Sequence, residues 1–270
     1  MSDLRLATLG PLLIADAPAK AAATLALDAA LPVDVDAVIV QPAGIPGRPE
    51  RPHLVEHIKL KPPSMRTPAG IAALVHAIAH IELNAIDLAL DVCWRFPGMP
   101  EAFYRDWLRI AQEEAKHFTL LRGHLLGLGF DYGDFDAHNA LWGMAERTKH
   151  DLLARIALVP RTLEARGLDA SPAVRAKLVG AGDKRAGEIL DVILHDEIGH
   201  VLAGNRWYRF LCEQRGLDPI ATYAELAARY QAPKLRAPFN LEARRAAGFD
   251  EAELAALTES AARPNQENRR

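Results

Sequence analysis

Apolar residues recur every three or four positions along four long stretches of the chain, the spacing typical of α-helices that bury one face. The first stretch begins at Thr67-Pro68, an N-cap hydroxyl followed by proline in the first turn, and continues to about Phe96. The other three stretches cover approximately residues 100–126, 138–166 and 183–215. This pattern predicts an all-α fold with a four-helix bundle at its centre.

Prolines and acidic capping residues predict a kink and two helix starts in the second half of the chain. Pro160 lies inside the third stretch, and because proline lacks a backbone N–H we expect a kink there that frees a carbonyl. Ser171-Pro172 predicts the start of a short separate helix. Asp250 with Glu253 has the form of a capping box and predicts a last short helix near the C-terminus.

The chain before the bundle is rich in proline and glycine. Residues 16–30 predict a short helix, and the prolines that follow exclude long regular structure up to residue 66. Leu54, Val55, Ile58 and Leu60 favour an extended arm packed on the bundle, with a disordered linker as the alternative. The sequence thus predicts an N-terminal arm, a bundle, C-terminal helices and a disordered tail, over residues 1–66, 67–216, 217–263 and 264–270.

The first half of the predicted bundle carries two glutamates and a histidine on apolar helix faces. Glu82 is the lone acid on the apolar stripe of the first helix. Glu114 and His117 on the second helix form a Glu-x-x-His pair, and residues three apart share a helix face. A buried carboxylate needs a partner, because an unpaired charge in apolar surroundings is costly. A metal ion would be such a partner.

The second half repeats this order. Glu164 follows Pro160 by one turn, and Glu197 and His200 form the second Glu-x-x-His pair. The interval from the lone glutamate to the paired one is 32 residues in the first half and 33 in the second. Four glutamates and two histidines in this order are the ligand set of di-iron and di-manganese carboxylate bundles. The six predicted metal ligands are Glu82, Glu114, His117, Glu164, Glu197 and His200.

Several residues beside these motifs have no assigned role. Glu113 is about 100° round the helix from Glu114, which favours surface exposure. His80 and Asp196 allow contact with a ligand residue, although exposure to solvent is favoured. Trp207 and Tyr208 follow the last motif and favour core packing over electron transfer. No catalytic residue beyond the metal ligands is predicted.

Composition and charge indicate the class of protein and the cellular compartment in which this site is expected. Half of the residues are hydrophobic, which permits a sizeable core, and the net charge of −3 gives no general attraction to nucleic acid or anionic membranes. Cys93 and Cys212 fit no zinc or redox spacing, so we expect two buried thiols. No signal peptide opens the chain and no uncharged apolar run reaches about 18 residues. The sequence predicts a cytoplasmic protein with no membrane partner.

The same motifs resemble those of bacterial ferritin-like proteins grouped as a domain of unknown function. The resemblance covers roughly residues 5–255 and is carried by AHIELNAID (79–87), EEAKHF (113–118), LGFDYGD (128–134), VPRTLEARG (159–167) and HDEIGHV (195–201). It implies a ferritin-like four-helix bundle with an extended N-terminal arm, extra C-terminal helices and the same six metal ligands. The activity of that family is not established.

The ligand set predicts an oxidoreductase that activates dioxygen or peroxide on an unknown small-molecule substrate. The expected cofactor is two metal ions, iron foremost, with manganese or a mixed pair as alternatives. Metal storage, detoxification or a purely structural site is the second hypothesis, although storage needs a cage and we expect a monomer or small homo-oligomer. A tRNA-modifying di-iron mono-oxygenase is a third, more distant similarity. It requires a basic surface, for which the candidates are Arg105, Arg109, Lys116 and Arg122.

Overall fold

A computed structural model describes residues 3–56, 59–60 and 64–262 of the 270-residue chain. Within these residues the protein is all-helical, and the β pairing consists of an isolated parallel bridge between Leu54 and Ala137. The predicted all-α class is therefore confirmed. The ferritin-like bundle and the division into four parts stay predictions. The predicted disordered tail and Ile58 lie outside the described residues.

The described helices are numbered in chain order. They are α1 (Leu4–Ala7), α2 (Leu9–Leu13), α3 (Ala17–Leu25), α4 (Pro68–Arg95), α5 (Glu101–Gly127), α6 (Ala140–Arg147), α7 (Leu152–Leu158), α8 (Ala165–Gly180), α9 (Lys184–Gln214), α10 (Pro219–Arg229), α11 (Leu241–Ala246) and α12 (Glu251–Ala262). A π-helical segment, Val159–Glu164, joins α7 to α8. The chain divides into two compact units, one formed by residues 1–143 and 174–193 and the other by 144–173 and 194–270.

The first unit is built on the long helices α4 and α5, which pack against each other. Thr67 caps α4 as predicted, because its side chain accepts a hydrogen bond from the Gly70 N–H at 3.1 Å, and Pro68 occupies the first turn. On one side of α4 apolar residues such as Val75 and Ile86 are fully buried. The polar residues on the other side of the helix are buried as well: His76, His80, Asn84, Asp87 and Asp91. The prediction that His80 is exposed is therefore wrong.

The N-terminal arm of this unit is attached by buried polar contacts as well as by buried apolar residues such as Leu12 and Ala21. The buried ammonium of Lys20 forms an ion pair with Asp87 of α4 and donates to the Gly47 carbonyl at 2.9 Å. The guanidinium of Arg5, also buried, donates to the carbonyl of Trp94 near the end of α4, at 2.9 Å. Leu54, one of the four apolar residues expected to pack the arm on the bundle, is 41% exposed. The covering arm explains why the polar face of α4 is not in water.

The second unit departs from the predicted single helix over residues 138–166. Arg155, on α7, donates to the Ala145 carbonyl at 2.6 Å and so caps the end of α6. Asp151 then caps α7 by accepting from the Ala154 N–H at 3.1 Å. A kink was expected at Pro160. The structure has a π segment there, in which the backbone hydrogen bonds reach five residues back.

The region of Ser171 and Pro172 also differs from the prediction of a separate short helix. Pro172 does not begin a new helix; it lies inside α8. Proline cannot donate to the carbonyl four residues earlier, but the Asn240 side-chain amide donates to that carbonyl, Leu168 O, at 3.3 Å. A long-range contact thus replaces the missing helical bond. The Ser171 hydroxyl donates to the Gly167 carbonyl at 2.7 Å rather than capping a helix.

The C-terminal helices of this unit follow their sequence signals more closely. Asp250 and Glu253 form the predicted capping box, since each backbone N–H donates to the side chain of the other, at 3.0 and 2.8 Å. A small apolar core joins α8, α9 and α11 through Ala165, Leu168, Val201, Ala243 and Ala247. Both cysteines, Cys93 in the first unit and Cys212 in the second, are free and buried, as predicted.

Helix α4 is long and apolar enough to cross a membrane, with a mean hydropathy of 1.5 in its most apolar window. However, 56% of that window is buried inside the protein. Core helices of soluble proteins pass the same test, so α4 is weak evidence for a membrane span. The cytoplasmic location stays a prediction.

Candidate metal centre

Three of the predicted ligands meet in the first unit. Glu82 on α4 and both Glu114 and His117 on α5 are buried, with 3%, 0% and 0% of their surfaces exposed. The Nδ1 atom of His117 lies 3.1 Å from Glu82 Oε2 and 3.3 Å from Glu114 Oε2. The possible ligand atoms of all three side chains lie within 4.8 Å of one another. Two unbroken helices thus bring two carboxylates and an imidazole to one buried point.

The two carboxylates of this cluster carry negative charge, which the His117 imidazole can offset. Burial by itself lowers the pKa of His117, but its hydrogen bonds to Glu114 and Glu82 outweigh burial and raise that pKa to about 11. The imidazole therefore holds a proton that offsets part of the carboxylate charge. A metal ion can take over this role, because metal binding displaces protons from its ligands. Carboxylate and imidazole donors of this kind suit iron, manganese or zinc.

The other three predicted ligands lie in the second unit. Glu197 and His200 are both buried on α9, and His200 Nδ1 lies 3.8 Å from Glu197 Oε1. Glu164, half-buried, is the last residue of the π segment. Glu197 and His200 share a helix face, as the spacing predicts. The assignment of all six residues as ligands of one centre stays a prediction.

The buried polar face of α4 is a feature that sequence reasoning missed. Its two histidines bind the loop over residues 129–139: His80 Nδ1 lies 2.8 Å from the Tyr132 hydroxyl, and the Gly133 N–H donates to His76 Nε2 at 2.9 Å. The ring of His76 also stacks on Tyr132 with centroids 5.1 Å apart. Burial lowers the pKa of both histidines to about 4, so both are neutral at pH 7. A sequence signal for this burial was available, since the polar residues on this face of α4 recur at helical spacing and include no lysine or glutamate.

The candidate basic surface is occupied by ion pairs. Arg109 pairs with Glu113 at 2.8 Å, which also accounts for the partial exposure of Glu113. Arg122 pairs with Asp131 at 2.8 Å. Arg105 pairs with a glutamate one turn earlier, Glu101, and also donates to backbone carbonyls of the arm. These three arginines therefore serve structural contacts.

The aromatic residues after the last motif are buried in the second unit. Trp207 and Tyr208 have 5% and 0% of their surfaces exposed. The Tyr208 hydroxyl donates to the Pro219 carbonyl at 2.7 Å, which links α9 to the start of α10. Core packing, the role favoured by the sequence, accounts for these contacts. Asp196 is half-buried rather than fully exposed.

Comparison with known proteins gives one close curated relative. An uncharacterized protein from Haemophilus influenzae is 48% identical over 223 residues, which cover 80% of this chain and 77% of the relative. No solved structure gives a significant match. The family model described as "Protein of unknown function (DUF455)" matches residues 13–255, including every predicted ligand. The chain therefore belongs to this family of unknown function.

Proposed function

We propose that the protein is a ferritin-like di-metal carboxylate protein and an oxidoreductase acting on a small molecule. Its six ligands would be Glu82, Glu114, His117, Glu164, Glu197 and His200, and its metals iron foremost, with manganese or a mixed pair as alternatives. The observation that carries the proposal is the buried Glu82–Glu114–His117 cluster. Two carboxylates are costly to bury without a cation, and here both lie within hydrogen-bonding distance of one imidazole nitrogen.

Glu197 is the first residue that we propose to add to this cluster. Together with His200 it presents the same i, i+3 carboxylate–imidazole pair on α9 that Glu114 and His117 present on α5. Glu164 supplies the fourth carboxylate. Four carboxylates balance the charge of two divalent ions, which makes such a centre tolerable in an apolar interior. Each half of the sequence has the same order of proposed ligands, a single glutamate followed by a Glu-x-x-His pair. This repetition supports two ions rather than one.

Bound iron or manganese would supply the oxidation chemistry, since carboxylate-rich sites of this kind activate dioxygen or peroxide. The side chains of this protein contribute charge balance and proton movement. Glu82 and Glu114 hold the His117 imidazolium when no cation is bound, and His117 releases that proton when its nitrogen becomes a ligand. Metal uptake should therefore release protons.

Metal loading under anaerobic conditions tests the proposal. Purified protein incubated with ferrous iron, desalted and analysed for metal should contain about two ions per chain. Glu114→Gln and Glu197→Gln should each reduce the content to below about one ion. Glu113→Gln is the matched control, because Glu113 is the neighbour of Glu114 in sequence but forms a surface ion pair. Unchanged metal content in both ligand variants would overturn the ligand assignment.

Exposure to air tests the oxidoreductase part. The ferrous protein should be oxidised by dioxygen and develop the near-ultraviolet absorption of ferric carboxylate centres, and Glu113→Gln should behave like the wild type. Stable ferrous protein in air, with two ions bound, would leave a metal-binding protein and reject the oxidoreductase assignment.

A further inference from the structure

The π segment that ends at Glu164 is stabilised by hydrogen bonds that span five residues. Pro160 has no N–H to donate to the preceding turn, and the Ala165 N–H bonds back to the Pro160 carbonyl, five residues earlier. The Thr162 hydroxyl donates to the Ala157 carbonyl at 2.7 Å, again over five residues. A π turn is wider than an α turn, so these bonds change the direction in which Glu164 leaves the helix.

Helix α9 lies directly against the beginning of this segment. A Cβ atom at Gly204 would be 2.8 Å from Pro160 Cβ, closer than real side-chain contacts. Five residues further along the segment, Ala165 shares an apolar core with Val201 of α9. The two elements are therefore antiparallel and in a fixed register. Glu164 comes just before Ala165, and His200 just before Val201.

Arg161 fixes this register with a buried charge. Its side chain is only 5% exposed, and its Nε donates to Asn205 Oδ1 on α9 at 2.8 Å. Its guanidinium also forms an ion pair with the buried Glu253 of α12. The guanidinium carbon lies over three aromatic rings. Its distance to the ring centroid is 4.6 Å for Tyr208, 5.2 Å for Tyr223 and 5.0 Å for Phe249. Tyr223 of α10 and Glu253 of α12 thus enclose Arg161 together with residues of α9 and the Phe249 ring between α11 and α12.

We propose that Arg161 is a positioning residue for Glu164, and that the C-terminal helices α10 and α12 serve to hold Arg161 in place. The proposal rests on the proposed function, since it treats Glu164 as a ligand. Arg161 itself bonds Asn205 and Glu253, and it acts on the metal only by setting the π segment against α9. Residues that orient a metal ligand typically change metal affinity by about 10–100-fold when replaced.

The test is a double-variant cycle on metal affinity. Arg161→Met, Glu164→Gln and the combination are titrated anaerobically with Mn²⁺, and the thermal unfolding of each is recorded. Arg161→Met should lower the affinity for the Mn²⁺ ion that depends on Glu164 by about tenfold. In the Glu164→Gln background it should have no further effect, because the ligand that it positions is already lost.

Arg5→Met is the matched control. Arg5 is another buried arginine; it donates to the carbonyls of Cys93 and Trp94 near the end of α4 and lies over the ring of Tyr104, and none of its described contacts is with the π segment. We expect it to lower thermal stability without changing Mn²⁺ affinity. If Arg161→Met does not fold, Asn205→Ala removes the same bond to α9 while the Arg161–Glu253 pair remains.

The outcomes separate the two proposals. Equal weakening of Mn²⁺ binding by Arg161→Met with and without Glu164→Gln, or an affinity like that of Arg5→Met, would overturn the positioning role and leave the metal centre standing. A wild-type protein that binds no metal would reject the proposed function, and the role of Arg161 with it.

Discussion

The two halves of the candidate centre carry the same order of ligands on differently built supports. In the first unit, Glu82, Glu114 and His117 lie on two unbroken helices of 28 and 27 residues. In the second, Glu164 ends a π segment whose second residue is Pro160, and only Glu197 and His200 lie on a long helix. Helical periodicity alone positions the first set. The second set depends on contacts between residues distant in sequence, so the same chemistry is supported by local pattern in one half and by tertiary packing in the other.

The halves also differ in the buried charge that secures them. The first half is covered by the N-terminal arm, which places Lys20 against Asp87. The second half is covered by C-terminal helices, which enclose Arg161 between aromatic rings and Glu253. Breaking a buried ion pair leaves an uncompensated charge and is strongly destabilising. The first half is therefore sensitive to its arm, although its own helices follow the sequence pattern closely.

The largest effect is expected from Lys20→Met. It leaves the Asp87 carboxylate buried without its ion-pair partner, and we expect the free energy of unfolding to fall by about 3–5 kcal/mol. Urea unfolding of the metal-free protein measures the change. The double variant Lys20→Met/Asp87→Leu should recover most of the loss, because both charges are then gone.

The control for this prediction is the same substitution at a surface ion pair of the second unit. Lys149 pairs with Glu146 at 3.0 Å, and both side chains are about a third exposed, so Lys149→Met should cost less than about 1 kcal/mol. Similar small losses at Lys20 and Lys149 would mean that the arm does not secure the first half.

A second effect of intermediate size is expected from pH. The pKa of His76 is lowered by burial to about 4, against an unfolded value near 6.5. Since the folded state disfavours the protonated ring, the contribution of His76 is complete above pH 6.5 and is lost as the pH falls toward 4. The loss should reach about 3 kcal/mol, at about 1.4 kcal/mol per unit of pKa.

Comparison of wild type with His76→Gln isolates this contribution. Urea unfolding at several pH values between 7 and 4 should show a shallower loss of stability in the variant, because the remaining titrating groups, including His80, are common to both proteins. Parallel pH profiles would show that the contact between His76 and the Gly133 N–H does not secure the loop over residues 129–139.

The smallest effect is expected from Gly204→Ala in the second half. The added methyl group would overlap Pro160, and overpacking of this kind costs about 1–3 kcal/mol. Gly199→Ala, on the same helix, meets nothing within 4 Å and should stabilise the protein by up to about 1 kcal/mol. Thermal unfolding of both variants gives the comparison. Stabilisation by both would show that α9 and the π segment can separate without cost.

The sequence predicted best where local chemistry decides the structure. The Thr67 cap, the Asp250–Glu253 capping box and the meeting of Glu82 with Glu114 and His117 all follow from spacing along one or two helices. These features need only hydrogen bonds within a turn or the periodicity of an α-helix.

The sequence predicted worst where a distant residue satisfies the backbone. Pro172 was expected to begin a helix, but the Asn240 amide supplies the donor that proline lacks. The predicted helix over residues 138–166 is broken because Arg155 caps α6 from the following helix. Exposure of His80 was favoured, because nothing in the local pattern shows that this polar face of α4 is covered by Lys20 and the arm. Each miss is a long-range contact overriding a local rule.

The contact between Gly204 and Pro160 has a consequence for how members of this family can diverge. The ring of one residue occupies the space that a side chain at the other position would need. Substitutions at the two positions are therefore linked: a larger residue at 204 becomes acceptable only in a background where 160 has already changed. An evolutionary path that enlarged position 204 first would pass through a less stable ancestor.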